Sequence, residues 1–187
     1  MTAVALMNAH EGVLGVMKAV QLGDRRAFED FLRTQDRWVR GVILGVLGDP
    51  SRVDDVAQQV WLTVWQRASE LRDVQRWKPW LYRMAYNAAI DAGRDVSRRR
   101  AQSLSSGVAD AAIAADAQPV DVEERRLVLD AVLSLPAIYR EPFVLRHVNG
   151  WSYQQIAEVM DMPVDSVETR LVRARRMLRE VLRDKVR

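Results

Sequence analysis

The sequence predicts an all-α protein: two small helical domains joined by a flexible linker, the C-terminal one a helix-turn-helix. Three observations lead there. Apolar residues in every long segment recur three or four positions apart, which lines one face of a helix. No run alternates with a period of two, so no strand is expected. Residues 101–121, Ala-Gln-Ser-Leu-Ser-Ser-Gly through Gln-Pro-Val-Asp, are rich in alanine, serine and aspartate and hold little large apolar surface. Such a stretch cannot bury enough to form a core, which marks a linker. The divisions that follow are an extension at 1–23, a domain at 24–100, the linker at 101–121 and a domain at 122–187. Fully extended, 21 linker residues reach at most about 70 Å, so the two domains need not touch.

Residues 1–23 carry weak helical patterning (Val13, Leu14, Val16, Met17, Val20) and predict a helical or partly disordered extension without chemistry. From Ala27 the pattern strengthens through Phe28, Phe31, Leu32, Trp38, Val39, Val42, Ile43, Val46 and Leu47, and Gly48-Asp49-Pro50 ends it. Asp54 and Asp55 open the next helix, where negative charge suits the helix dipole. Val56, Val60, Trp61, Val64 and Trp65 supply its apolar side, with Asp55, Gln58, Gln59 and Leu62 on the other. A polar segment from Arg67 to Arg76 precedes a third long helix that begins at Trp77-Lys78-Pro79-Trp80 and runs to about Arg99. Leu81, Met84, Ala85 and Ala88 can pack inward there, while Arg83, Asn87, Asp91, Arg94 and Arg98 recur along another side. Gly93 weakens the end of this helix by roughly 1 kcal/mol relative to alanine. Five of the six tryptophans lie between 38 and 80; Trp38, Trp61 and Trp65 read as core. Trp77 and Trp80, beside a polar loop and a basic helix, fit either the core or stacking on an unpaired base.

Beyond the linker, helices are expected from about Val122 to Leu135 and from about Ala137 to His147, the second closed by a left-handed cap at Asn149-Gly150. Ser152 can cap the following helix, with Gln155 completing a capping box. Tyr153, Ile156, Ala157 and Met160 share one face of it. Asp161-Met-Pro163 then makes the turn, because proline cannot continue a helix but can sit in the first turn of the next. Val167, Leu171, Ala174, Leu178 and Val181 form the apolar back of the last helix and leave Asp165, Ser166, Thr169, Arg170 and Arg173 outward. An arginine-rich amphipathic helix can be no more than a solvated face. Preceded by a short helix and a tight turn, it suits the major groove of DNA.

Composition excludes more than it selects. Nothing approaches 18 uninterrupted apolar residues, so no membrane insertion is expected, and the start does not look like a secretory signal. The chain has no cysteine, and its two histidines, His10 and His147, are far apart in sequence. Disulfides, thiolate metal sites, cysteine nucleophiles and histidine-based sites fall away together, leaving a cytoplasmic protein with no cofactor, no metal and no catalytic residue. Net charge is +3. Residues 1–100 hold 16 basic and 12 acidic side chains, 101–121 three aspartates and no base, and 122–187 12 basic and 10 acidic. Two basic clusters flanking an acidic gap suggest two anion-facing surfaces.

Taken together, these segments resemble a bacterial RNA polymerase sigma factor of the small, extracytoplasmic-function (ECF) type, over roughly residues 24–100 and 123–183. The resemblance rests on Gly23-Asp-Arg-Arg-Ala-Phe28, Asp54-Asp-Val-Ala-Gln-Gln-Val-Trp-Leu-Thr-Val-Trp65 and Trp80-Leu-Tyr-Arg-Met-Ala-Tyr-Asn-Ala-Ala-Ile-Asp91 in the first domain. In the second it rests on Leu135-Pro, Arg140-Glu-Pro-Phe-Val-Leu-Arg146 and Tyr153 to Arg176. It implies that Asp54, Asp55, Gln58, Gln59 and Leu62 dock on the clamp helices of the polymerase beta-prime subunit, with the beta subunit also a partner. It implies that Arg83, Asn87, Asp91, Arg94 and Arg98 meet the −10 promoter element, with a loop near 71–78, including Trp77 and Lys78, capturing a flipped base. Asp165, Ser166, Glu168, Thr169, Arg170 and Arg173 would lie in the −35 major groove, with Arg175, Arg176 and Arg179 on phosphates or in solvent. An anti-sigma factor is a further partner that the resemblance admits. The chain departs from the family at Gln59, where glutamate is usual, and at Glu168, where lysine is common. A carboxylate at 168 would repel phosphate or accept a hydrogen bond from a cytosine amine, which implies an unusual −35 preference.

The resulting expectation is an alternative sigma factor that binds core polymerase, recognises −35 and −10 elements and opens the −10 duplex. A regulator that only binds duplex DNA through 152–176 would leave the Asp55/Gln58 face and the Arg83–Arg98 ladder unexplained. A mimic that sequesters an anti-sigma factor would support no transcription with core enzyme. An enzyme fits least: no nucleophile–base pair, metal cluster or phosphate-loop glycines are present.

Overall fold

The helix on which the fold is assembled starts at Asp24, whose carboxylate accepts the free amides of Arg26 (2.9 Å) and Ala27 (3.1 Å). In the computed structural model, which describes the backbone of residues 3–102 and 119–185 and the side chains of 12–94, 123 and 126–183, this is α2 (Arg25–Leu47). It stops where Gly48 turns left-handed (φ 67°) and returns its amide to the Leu44 carbonyl. Around it lie α1 (Ala3–Gln21), α3 (Val53–Arg67) and α4 (Trp77–Gln102). The C-terminal half contributes α5 (Pro119–Ser134), α6 (Ala137–His147), α7 (Tyr153–Met160) and α8 (Val164–Lys185). No strand occurs among the described residues, as the absent period of two predicts.

The expected extension is a structural member. Met17 and Val20 of α1 are buried, and Gln21 Nε2 donates to the carbonyls of Ala68 (3.2 Å) and Leu71 (2.6 Å). The helix therefore braces the polar connection between α3 and α4, where two short 3₁₀ turns (Ala68–Glu70 and Val74–Arg76) replace regular helix. Among its described side chains only Met17 and Val20 are fully buried, which keeps its pattern weak in sequence. The linker expected at 101–121 lies outside the described residues over 103–118; positions 101–102 and 119–121 are the ends of α4 and α5.

The two halves, which a long linker would leave free to separate, are packed on one another. α6 lies along α2, and α7 meets α4. A chain of ring contacts crosses the boundary: Trp65 to Phe28 (5.0 Å between centroids), Phe28 to Trp61 (6.4 Å), Trp61 to Phe31 (6.1 Å), Phe31 to Trp77 (5.4 Å), Trp77 to Trp38 (6.4 Å) and Trp38 to Trp151 (5.1 Å). Edge-to-face and tilted pairs of this kind add about 0.5–1.5 kcal/mol each beyond area burial. A smaller cluster of Ala131, Leu135, Ala174 and Leu178 holds α5 to α8.

Truncating Met17 to alanine removes a fully buried side chain, so Met17→Ala is expected to lower unfolding stability by about 2–5 kcal/mol, read from urea or guanidinium denaturation. A midpoint equal to wild type would mean that α1 is dispensable to the core.

Candidate nucleic-acid interface

The C-terminal surface is built around α8. Ser152 Oγ accepts the Gln155 amide (3.2 Å) and Gln155 Oε1 accepts the Ser152 amide (2.9 Å), so the capping box read from the sequence starts α7. Asp161 then adopts a left-handed conformation (φ 50°), the only non-glycine residue to do so among those described, and Pro163 leads into α8. Val167, Leu171 and Ala174 are fully buried against α5–α7 and Leu178 nearly so. This clamps the helix by its back and leaves Asp165, Glu168, Thr169 and Arg173 exposed and Ser166 and Arg170 half-buried. Arg173 donates to the Tyr139 hydroxyl at 3.4 Å. The left-handed residue closing α6 differs from expectation. Val148 ends the helix in right-handed conformation and Gly150 alone turns left (φ 69°). Asn149 instead reaches across to α2, its Nδ2 donating to the Trp38 carbonyl at 3.3 Å.

On α4, Leu81, Tyr82, Ala85 and Ala89 face the core, with Met84 and Ala88 half-buried. Arg83, Asn87, Asp91 and Arg94 are exposed as a ladder, Asp91 and Arg94 pairing at 3.6 Å; the side chain of Arg98 lies outside the described residues. Trp77 differs from the base-stacking option. It is 5% exposed, wedged between Phe31 and Trp38, with its indole nitrogen buried and without a hydrogen-bond partner among the described residues. Lys78, next to it, holds its ammonium 4.3 Å from the ring centre of Trp151, and burial lowers its pKa below the usual lysine range, Glu158 opposing.

The exposed side of α3 carries Asp55, Gln58, Gln59 and Leu62. Asp54 is also exposed but already engaged, bonded to Arg40, which pairs with Asp36 as well; Asp36 in turn accepts the Trp61 indole N–H at 2.7 Å. Asp55 and Gln59 share a groove of about 550 Å³ with Asn87 and Asp91 of α4, so two sets of predicted contacts meet there. Beyond Leu62 (57% exposed), sequence reasoning missed an apolar surface formed with Phe28, Trp65 (39% exposed) and Arg25. The signal was the i, i+3 step from Leu62 to Trp65, hidden because Trp65 also matches the period of the buried face.

A second, larger cleft of about 740 Å³ opens between the halves, lined among others by Arg76, Arg83, Asn87, Glu141, Glu158 and Arg170. It brings Arg83 and Asn87 of α4 together with Arg170 of α8. Glu141, 7% exposed, accepts a hydrogen bond from the Tyr82 hydroxyl. Burial pushes the Glu141 carboxyl above its usual pKa, against the opposing pull of Tyr82, Arg170 and Arg140, and burial raises Tyr82 as well. No described helix is long and apolar enough to cross a membrane.

Two matches to known families cover most of this geometry. Residues 31–99 match Sigma-70 region 2 and residues 125–178 match Sigma-70, region 4. The chain is 30% identical over 179 residues to the ECF RNA polymerase sigma factor SigW of Bacillus subtilis, covering 90% of this chain and 95% of that protein. It is 31% identical over 172 residues to the ECF RNA polymerase sigma-E factor of Escherichia coli K12, covering 86% and 88%. Two solved structures share the fold. CnrH, in complex with the cytosolic domain of CnrY, superposes with a TM-score of 0.67 at 23% identity, over 91% of this chain and 97% of CnrH. RpoE of Bartonella quintana, in complex with the anti-sigma factor NepR, gives 0.68 at 22%, over 83% and 96%.

The left-handed Asp161 makes a direct test of the α7–α8 turn. Asp161→Gly is expected to be neutral or slightly stabilising and Asp161→Val to cost roughly 1–2 kcal/mol, since a β-branched side chain clashes in that conformation. Equal melting temperatures for the two variants would contradict the turn.

Proposed function

This chain belongs to the ECF sigma factors of the sigma-70 family, and we propose that the residues placed above are the ones through which it does their work. It is an alternative sigma factor that recognises promoters to initiate transcription, with core RNA polymerase and promoter DNA as partners. The observation that carries the residue-level reading is α8. Its apolar back is fully buried while Asp165, Glu168, Thr169 and Arg173 stay free of the core, the arrangement a helix needs to enter a major groove.

The N-terminal half, residues 24–100, holds the polymerase and the −10 element in this reading, and residues 122–187 hold the −35 element. Asp55, Gln58, Gln59 and Leu62 form the polymerase contact, the carboxylate suited to charge-assisted bonds with arginines of a coiled coil. Asp54 contributes less, because Arg40 already holds it. The apolar surface of Phe28, Leu62 and Trp65 extends that contact. Arg83, Asn87 and Arg94 meet −10 DNA. The buried Trp77 acts as a floor beneath the 71–78 loop, and Lys78 is free to reach DNA once Trp151 moves away. Glu168, exposed on α8, shifts the base preference at −35. The chain supplies no catalytic step, because the polymerase holds the active site, and it acts in the cytoplasm. The CnrH and Bartonella RpoE structures are complexes, the latter with an anti-sigma factor, and the same class of inhibitor is a proposed partner here.

Run-off transcription with core polymerase on genomic fragments tests the assignment, and the mapped start sites should share upstream elements near −35 and −10. Asp55→Arg combined with Gln58→Ala is expected to abolish co-purification with core polymerase while the circular dichroism stays native; unchanged capture would sink the docking surface. Arg173→Ala should weaken binding to promoters bearing the −35 element by about 5- to 150-fold, the equivalent of 1–3 kcal/mol for one good base contact. An equal loss on a template without that element would count against a −35 role.

A further inference from the structure

The last residue of α1 reaches the connection between α3 and α4, and the way α1 ends sets its place. Gly23 turns left-handed (φ 80°); its amide donates to the Val20 carbonyl and that of Asp24 to the Ala19 carbonyl, both at 3.0 Å. This pair of bonds is the Schellman closure of a helix. The Asp24 side chain then caps α2, so one residue closes α1 and opens the next helix. Met17 and Val20, buried in the preceding turn, fix the inner face of α1. Gln21, half-buried beside them, starts from a backbone with little freedom.

The amide nitrogen of Gln21 has two hydrogens, and both find carbonyls: Ala68 at 3.2 Å and Leu71 at 2.6 Å. These carbonyls bracket the stretch where α3 gives way to the first 3₁₀ turn. Helix ends and short 3₁₀ turns leave such groups without a regular partner. α1 lies against both 3₁₀ turns. Ala68, Leu71 and Trp77 are buried and Val74 half-buried, while Arg72, Asp73, Gln75 and Arg76 are exposed. The loop is therefore anchored from behind and turns a polar, cationic edge to solvent. Within that edge the Asp73 carboxylate accepts the Gln75 amide (2.9 Å) and the Asp73 carbonyl the Arg76 amide (3.0 Å).

We infer that Gln21 is a positioning residue for promoter opening: fixed by the end of α1, it holds in shape the loop that receives a base extruded from the −10 duplex. The inference rests on reading the 71–78 loop as that receptor. Extrusion loses stacking and pairing, which the receiving pocket must offset. A loop that is ordered beforehand loses no further freedom when the base arrives. Without the Gln21 amide, the Ala68 and Leu71 carbonyls are no longer tied to α1, and part of the binding energy goes into re-forming the loop. Gln21 belongs neither to the set assigned to polymerase nor to the set on α8. Its loss should spare core capture and −35 binding and fall on opening alone.

Gln21→Met keeps the unbranched apolar stem and removes both donors. The full-length variant and wild type, each bound to core polymerase, are compared for opening of a mapped promoter by permanganate reactivity, with single abasic sites stepped through the non-template −10 strand. In wild type, removing the received base should lower opening about tenfold or more. In Gln21→Met, opening of the intact template should fall toward that level, so that the penalty for the missing base shrinks to about threefold or less. Core capture should be unchanged. A wild type with no position-specific penalty would overturn the base-receiving loop, and the inference with it. A penalty that Gln21→Met keeps in full would overturn the inference alone, as would a variant that loses core capture together with opening. Amide hydrogen exchange of the free protein gives a second measure. The Leu71 and Arg76 amides should exchange about tenfold faster in Gln21→Met while those in the middle of α2 stay unchanged. Equal rates at Leu71 and Arg76 would contradict the brace.

Discussion

The arrangement of the two halves depends on one buried cation. Arg140 sits where the C-termini of α2 and α5 converge, and its guanidinium accepts the task that water would otherwise perform for four helix-end carbonyls. Burial lowers its pKa, but an arginine starts so far above neutrality that it stays charged. Removing it would leave those carbonyls facing a dry boundary. The remaining features of the interface follow from its position. Gly48 has no side chain because the guanidinium occupies that space, and the neighbouring Glu141 is brought against Tyr82.

The same packing explains why binding surfaces and core are so closely interwoven. The aromatic relay from Trp65 to Trp151 begins on the proposed polymerase side of α3 and ends at the entry to the helix-turn-helix. Trp77 lies midway and cannot be withdrawn without disturbing Phe31 and Trp38. Tryptophan here serves the scaffold first. The residues proposed to meet DNA are exposed on the outer faces of α4 and α8, short or cationic: Asn87 and Arg83 on one, Thr169 and Arg173 on the other.

Much of this was legible from residue order. The helix-turn-helix followed from Ser152, Gln155 and Pro163, because capping and ring closure act locally and need no tertiary context. The buried stripe of α8 followed from period alone. Three things did not follow. α1 was undervalued since its contribution rests on Met17, Val20 and one glutamine side chain bonded to a distant turn. Trp77 could not be sorted between core and solvent, because an aromatic at a helix start fits both. The packing of α6 on α2 was invisible because it is written in absences: Gly41 and Gly45 carry no periodic signal, and Arg140 and Glu141 count as ordinary surface charges until a partner helix buries them.

The packing of the two halves on one another, on which the account rests, is best tested by distance. Gln75 and Gln154 are exposed and flank the Lys78–Trp151 contact on either side, so cysteines introduced there in this cysteine-free chain can carry a fluorescence donor and acceptor. Single-molecule energy transfer is expected to be high in the free protein. A free chain in a low-transfer state would contradict it.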